Sequence, residues 1–380
     1  MIPYGKQSVS RRDRRRVNAV LKSDFLTIGP EVSRFELELS KITKTDTFVV
    51  SSGTAALHCA YVGIGVGPGD EIITPPNTFI ATQATAALLG ARIVFADINP
   101  NTGLICSDSV AKKITNKTKA IVLVDYAGQI CDVDSFRRVV RGTEIILIED
   151  AAHSLGSTYK GKRPGELVDV TTFSFFPTKN ITTAEGGAVS SPHPKILQRA
   201  KRFARQGVIR EESEFTGEFR GSWVYEVHDF GLNYRLSDLQ CSLGLSQLDK
   251  LSKFKKRRFE IFNLYKSRLT QISGVQIIEQ DSQGDPMWHL FPILVKSGLR
   301  DGLFDFLRKH SIQVQVNYIP VMCQPVFQKM GYQYKDYPNS MKFYEEEISL
   351  PIFPDLSTKE VNFICDTIEK FFVIKAKKYE

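Results

Sequence analysis

The sequence predicts an α/β protein: a large unit built on a mostly parallel sheet, then a smaller α/β unit. Three observations predict it. Between Thr47 and about Val189, short β-branched runs alternate with segments whose apolar residues fall at helical spacing. That is the pattern of strands joined by crossover helices. The run Ile145-Ile146-Leu147-Ile148 is apolar throughout, as a strand covered on both faces must be. After Gly231 the pattern changes to one long helical stretch followed by mixed elements. A chain of 380 residues suits one large domain and one small one.

In order along the chain, strands are predicted over residues 48–50, 71–74, 92–97, 120–125, 144–150, 171–176 and 187–190. Helices are predicted between them over 54–62, 79–89 and 133–140. The alternating glycines of 63–69 precede a strand instead of following one, so they read as a turn and not as a dinucleotide loop. A long helix is predicted over 236–272, then a strand over 289–295, a helix over 301–310, a strand over 313–318 and a terminal helix over 359–372. The division falls near residue 248, giving a large domain 1–248 and a small C-terminal domain 249–380.

Composition narrows the function. Lys+Arg 50 against Asp+Glu 42 gives a net charge of +8. The basic runs 11–16 and 253–258 are separate, read as solvated helix faces, and carry no nucleic-acid motif. No nucleic-acid partner is expected. Six scattered cysteines without a Cys-x-x-Cys pair predict reduced thiols in the cytoplasm, not a zinc site or a disulfide framework. Six histidines without a His-x-x-x-His pair predict no metal. No stretch reaches the about 20 apolar residues that a bilayer span needs. The N-terminus lacks the apolar core of a secretory signal.

Three constellations carry chemistry. Ser51-Ser52-Gly53-Thr54-Ala55-Ala56 lies between a strand and a helix. It suits a phosphate cradle, because the first-turn N–H groups and the helix dipole point the same way; it equally suits an ordinary N-cap. Glu149-Asp150-Ala151-Ala152-His153 ends the most apolar strand, where open α/β sheets bind ligands. A carboxylate there can meet a cationic ligand atom or serve as a structural acid. Phe173 to Asn180 carries Lys179 after a strand, ahead of Glu185-Gly186-Gly187. A lysine in an aromatic setting can act as an amine nucleophile, although most lysines are solvated charges. Cradle, strand-end carboxylate and later lysine, in that order, are the three functions that pyridoxal 5′-phosphate requires.

With Leu26-Thr27-Ile28-Gly29-Pro30, Thr78-Phe79-Ile80-Ala81-Thr82, Asn233-Tyr234-Arg235 and Leu243-Gly244-Leu245-Ser246-Gln247-Leu248, these motifs give a resemblance that covers nearly the whole chain. The sequence resembles the pyridoxal-phosphate-dependent nucleotide-sugar aminotransferases of the DegT/DnrJ/StrS type, which have the aspartate-aminotransferase-like fold (fold type I). Within them it is most similar to the aminotransferases of pseudaminic-acid biosynthesis. The pointers are Val124-Asp125-Tyr126-Ala127-Gly128, Ile181-Thr182-Thr183-Ala184-Glu185-Gly186-Gly187 and Ile348-Ser349-Leu350-Pro351.

The resemblance implies roles. Lys179 bonds to the cofactor aldehyde and moves the proton during catalysis, and Asp150 pairs with the pyridinium nitrogen. Phe79 stacks on the ring, and His153 lies beside the phenolic oxygen. Gly53, Thr54 and Ser174 hold the phosphate from one subunit, and Asn233 reaches the same phosphate from the partner of a homodimer. Tyr4, Leu26, Thr27, Gln315, Val316, Asn317 and Tyr318 match substrate-contacting positions, with Lys179 and Asn233 at the same site, and His289 is a further candidate. Relatives often carry histidine where this chain has Asn317. The implied reaction takes the amino group of L-glutamate, through the pyridoxamine form of the cofactor, to C4 of a nucleotide-linked 4-keto-6-deoxy sugar. The expected sugar is a UDP-linked N-acetyl-hexosamine. Amination at C3, a dTDP- or GDP-sugar, sugar dehydration, and a non-catalytic regulatory protein are the alternatives.

Overall fold

The computed structural model describes residues 1–218, 220–296 and 298–376. The seven strands expected before residue 192 all form, and they make one sheet. They are β1 (Asp46–Val50), β2 (Glu71–Thr74), β3 (Arg92–Phe95), β4 (Thr118–Val124), β5 (Ile146–Asp150), β6 (Val170–Ser174) and β7 (Gly187–Ser191), in the order β1-β7-β6-β5-β4-β2-β3. The run from β3 through β2, β4 and β5 to β6 is parallel, and β7 lies antiparallel between β6 and β1. Parallel pairing sends β4, β5 and β6 to one common edge, so their carboxyl ends converge there. β3 stops two residues early because Asp97 leaves the ladder. Its carboxylate instead accepts the N–H groups of Ile98, Asn339 and Ser340.

Helix α1 (Arg11–Leu21) carries the first basic run, mostly exposed as expected. Helix α2 (Gly53–Gly63) follows β1, and α3 (Ala81–Leu88) follows β2. The expected long helix is two: α4 (Asp238–Leu248) and α5 (Leu251–Leu269). The break is made by residues distant in sequence. Asp249 pairs with Arg12 at 2.6 Å, and Lys250 Nζ reaches Asp13 at 2.6 Å and the Ser8 carbonyl at 3.0 Å.

The second sheet is antiparallel: β8 (Val275–Ile277), β9 (Phe291–Val295) and β10 (Glu347–Leu350), with β9 in the middle. The strand expected over 313–318 is not a regular one. It makes only isolated bridges, Ile312 to Ile2 and Gln315 to Ser349. Side chains take the backbone groups that a ladder would use: the Asn317 N–H donates to Glu347 Oε2 at 2.7 Å, and its carbonyl accepts from the Tyr126 hydroxyl at 2.8 Å. We propose the division at 248 as a division between the seven-stranded and three-stranded sheets only, since Thr158–Tyr159 pairs with Gly284–Asp285 across it. One apolar core joins Leu123 and Leu147 to Phe262 and Trp288, and residues 377–380 lie outside the described residues. Among the described residues no helix is long and apolar enough to cross a membrane.

The basic run 253–258 departs from the solvated reading at Arg258. Phe254, Arg258, Ile261, Phe262, Tyr265 and Leu269 are the buried residues of α5, one face at helical spacing. Arg258 therefore points into the core, where Nη1 donates to the carbonyls of Trp288, His289 and Ile352 at 3.0, 3.2 and 3.0 Å. Burial pushes its guanidinium down to about 10. Replacing Arg258 with Met would leave three buried carbonyls without that donor. The expected loss is about 3 kcal/mol of unfolding free energy, read from denaturant titrations; an unchanged midpoint would refute this account.

Candidate active site

The carboxyl edge of the large sheet opens into a cavity of about 410 Å³. Asp150, the last residue of β5, is buried at its floor. Its Oδ2 accepts from the Thr82 hydroxyl of α3 at 2.8 Å, and its Oδ1 from the Ala152 N–H at 3.2 Å. Burial raises its proton affinity, while Thr82 and the nearby Lys179 pull the other way. Lys179 sits in the turn after β6, where its N–H bonds the Phe176 carbonyl at 2.9 Å. Burial pushes its ammonium down to about 8, against the attraction of Asp150. An amine so placed is partly unprotonated near neutral pH, as a nucleophile or base must be.

The cradle comes from α2. The Ser52 hydroxyl accepts the Ala55 N–H at 3.1 Å, so the N-cap reading holds, and the N–H groups of Gly53 and Thr54 have no intrahelical partner. Gly53 is needed for close approach: a Cβ there would lie 2.8 Å from Ser174 Cβ. Gly187 is needed too, since its Cβ would lie 2.4 Å from the Ser52 carbonyl oxygen. β7 thus packs directly behind the cradle.

His153 is buried, and its Nε2 lies 3.2 Å from the Tyr318 hydroxyl. Burial and the nearby Lys179 hold it neutral. His289 lies behind it with ring centroids 4.3 Å apart. Phe79 stands at the mouth, 59% exposed. The cavity walls thus gather Lys179, Asp150, His153, Phe79, Gly53, Thr54, Ser174 and Tyr318, which the sequence scatters over 266 positions. Tyr4, Leu26, Thr27, Asn233, His289, Gln315, Val316 and Asn317 do not line it. Leu26, Thr27 and Asn233 are on the surface of the chain, and Asn233 bridges Arg205. Tyr4 and Asn317 bond each other at 2.5 Å.

The donor set suits one kind of compound. A buried carboxylate seeks a cation, a desolvated amine seeks a carbonyl, and a glycine-lined cradle of N–H and hydroxyl groups seeks a phosphate. His153 Nδ1, buried and without a partner, adds an unspent polar atom. These residues fit pyridoxal 5′-phosphate.

Comparison with known proteins agrees. Residues 7–369 match the DegT/DnrJ/EryC1/StrS aminotransferase family. The chain belongs to that family. It is a pyridoxal-phosphate-dependent sugar aminotransferase of fold type I. The chain is 35% identical to the spore coat polysaccharide biosynthesis protein SpsC of Bacillus subtilis, over 97% of this chain and 96% of that one. It is 32% identical to the UDP-4-amino-4,6-dideoxy-N-acetyl-beta-L-altrosamine transaminase of Campylobacter jejuni, over 97% and 96%. It is 31% identical to the GDP-perosamine synthase of Vibrio cholerae, over 98% and 99%. Among solved structures, the putative sugar aminotransferase Spr1654 of Streptococcus pneumoniae, in its PMP-form, superposes with a TM-score of 0.93 at 30% identity, covering 98% of this chain and 100% of that one. The Helicobacter pylori PseC aminotransferase, involved in the biosynthesis of pseudoaminic acid, gives 0.92 at 30%, covering 98% and 99%.

Sequence reasoning missed the part Thr82 plays in this aminotransferase. Thr78 and Thr82 are four residues apart and bond at 3.2 Å, so the two threonines of the 78–82 motif were the available signal. The electrostatics of the cavity can be read directly. In protein stripped of cofactor, acetylation of Lys179 followed by mass spectrometry should rise with pH around a midpoint near 8. Asp150→Asn removes the attraction that holds the proton, so its midpoint should fall. A midpoint above 10 in the unsubstituted protein would contradict the desolvated setting.

Proposed function

We propose that this aminotransferase moves the amino group of L-glutamate onto C4 of a nucleotide-linked 4-keto-6-deoxy sugar, a UDP-linked N-acetyl-hexosamine of the pseudaminic-acid route. The observation that carries the chemistry is the meeting of Lys179 and Asp150 in one desolvated cavity beside the Gly53–Ser174 cradle. Similarity to the Campylobacter transaminase and the motifs at 124–128, 181–187 and 348–351 favour the sugar. Amination of a GDP-linked sugar is the second reading, favoured by similarity to GDP-perosamine synthase.

When bound, the cofactor supplies a carbonyl that carries the amino group and an electron-accepting ring. Lys179 would hold it through the amine. The same Nζ would take the proton from the α-carbon of glutamate and would deliver a proton to C4 of the sugar in the second half-reaction. Asp150, held by Thr82 and the Ala152 N–H, keeps a positive charge on the ring nitrogen. Gly53, Thr54 and Ser174 would hold the phosphate, Phe79 would cover the ring face, and neutral His153 would bond the phenolic oxygen.

A symmetric homodimer completes the site. Asn233 stands exposed in a segment where Phe230 is 98% exposed and Trp223 73%, an apolar surface of the kind that marks an interface. Asn233 then serves the partner's phosphate. The six thiols form no disulfide, which suits a reducing compartment such as the cytoplasm. The joint presence of Asp150, Ser174, Lys179 and Asn233 speaks against a non-catalytic regulator, and Lys179 speaks against a dehydrating relative.

Glutamate should bleach the visible absorbance of the loaded protein. Lys179→Ala should lose both that change and turnover; steady-state transamination by this variant would sink the reading. Assay of ketosugar nucleotides one at a time, with NMR of the aminated product, decides the sugar, the carbon and the base. Lys179→Ala and Asn233→Asp should each be nearly inactive alone. Mixed after gentle unfolding, they should recover up to about a quarter of wild-type activity, because half of the dimers are mixed and each of these holds one intact site. Failure to complement would exclude a shared site.

A further inference from the structure

Two motifs that mark this chain, 124–128 and 348–351, touch no part of the cofactor cavity through their polar side chains, yet they meet. Tyr126 of the first and Ser349 of the second both bond Asn317. The Tyr126 hydroxyl donates to the Asn317 carbonyl at 2.8 Å. Asn317 Nδ2 donates to Ser349 Oγ at 3.0 Å. Glu347 closes the ring: its Oε2 accepts the Asn317 N–H at 2.7 Å, and its Oε1 accepts from the Ser349 hydroxyl at 2.5 Å. Tyr126, Glu347 and Ser349 are completely buried.

Burial pushes the Glu347 carboxyl up to about 8. With that carboxylate ionised, the single Ser349 proton goes to Glu347, so Ser349 accepts from the amide, and the NH₂ end of Asn317 faces it. The second amide proton goes to Tyr4 Oη at 2.5 Å. Asn317 therefore spends its backbone N–H, its carbonyl and its amide nitrogen inside the protein. One nitrogen carrying two protons is what this geometry uses.

What the ring holds is a wall. Tyr4 hangs from the amide. Tyr318, the next residue, donates its N–H to Asn77 Oδ1 at 3.2 Å, lines the cavity near Lys179 and bonds His153. A nucleotide sugar is larger than cofactor and amino acid together, so it must use walls beyond the cavity that serves both half-reactions.

We propose that Glu347, Ser349 and Tyr126 are positioning residues for the sugar half-reaction, acting through Asn317 to set Tyr4 and Tyr318 as the wall that receives the sugar nucleotide. The proposal rests on the aminotransferase reading of the cavity.

The test separates the two half-reactions, using the loaded full-length protein and the ketosugar nucleotide that the wild type aminates. Ser349→Ala and Glu347→Gln should each raise KM for that nucleotide about tenfold, the scale of a buried hydrogen bond. The rate of bleaching by glutamate should stay within about twofold. Ser349→Thr, which keeps the hydroxyl, should restore KM. An unchanged KM in both variants overturns the proposal. So does a rise in sugar KM that comes with an equal loss of glutamate bleaching and a lower thermal midpoint, the signature of a merely structural role. Wild-type protein that does not bleach with glutamate fails earlier, at the aminotransferase reading itself.

Discussion

The structure turns on one pairing: a carboxylate and an amine sharing a cavity from which water is largely removed. Burial raises the proton affinity of Asp150 and lowers that of Lys179, so each group left alone there would neutralise. Each also opposes the shift of the other. A cationic ring nitrogen seated at Asp150 would complete the compensation. Nearly every element around them supplies a boundary condition for this arrangement. Parallel β4, β5 and β6 bring Asp150 and the Lys179 turn to one edge, and β7 reverses so that Gly187 can press against Ser52.

A second layer keeps the opposite side of the cavity uncharged. His153 and His289 lie ring against ring, and burial keeps both neutral. Arg258 donates to the His289 carbonyl from within the core and, with Lys179, adds positive charge that opposes protonation of His289. The resulting polarity is asymmetric: negative at Asp150, positive at Lys179, neutral at the imidazoles. A ligand with a cationic ring nitrogen and a phenolic oxygen has one orientation that matches it.

Much of this was legible in the sequence, because parallel central strands must be apolar on both faces and their carboxyl ends must carry the polar residues. Asp150 and Lys179 stood out for that reason. What escaped was set by partners distant in the chain. The helix break at Asp249–Lys250 is made by Ser8, Arg12 and Asp13, and no local signal marks it. Arg258 looked solvated because five of the six residues of its run are Lys or Arg; only its place on the buried face of α5 decides its fate. The segment 313–318 has strand-like composition, but Glu347 and Tyr126 divert its backbone groups. Leu26, Thr27 and Asn233 are exposed and lie apart from the cavity, so nothing within this one chain marks them as part of the site.

The first residues of the chain connect these layers. The Ile2 N–H donates to the Ser311 carbonyl at 2.8 Å and the Gln313 N–H to the Ile2 carbonyl at 2.9 Å, so the N-terminus joins the small sheet side. Tyr4 then reaches Asn317, and Gly5 packs so close to Thr178 that a Cβ would lie 3.2 Å from Thr178 Cγ2. Thr178 precedes Lys179. The same few residues thus touch the wall set by Glu347 and the turn that carries the amine, and Ser8 continues to α4 and α5 through Gln247 and Lys250. A segment anchored at three places cannot shift at one without strain at the others. The turn that carries the amine and the Tyr4–Asn317 pair are therefore tied to one another through the first residues of the chain, by a link that lies outside both.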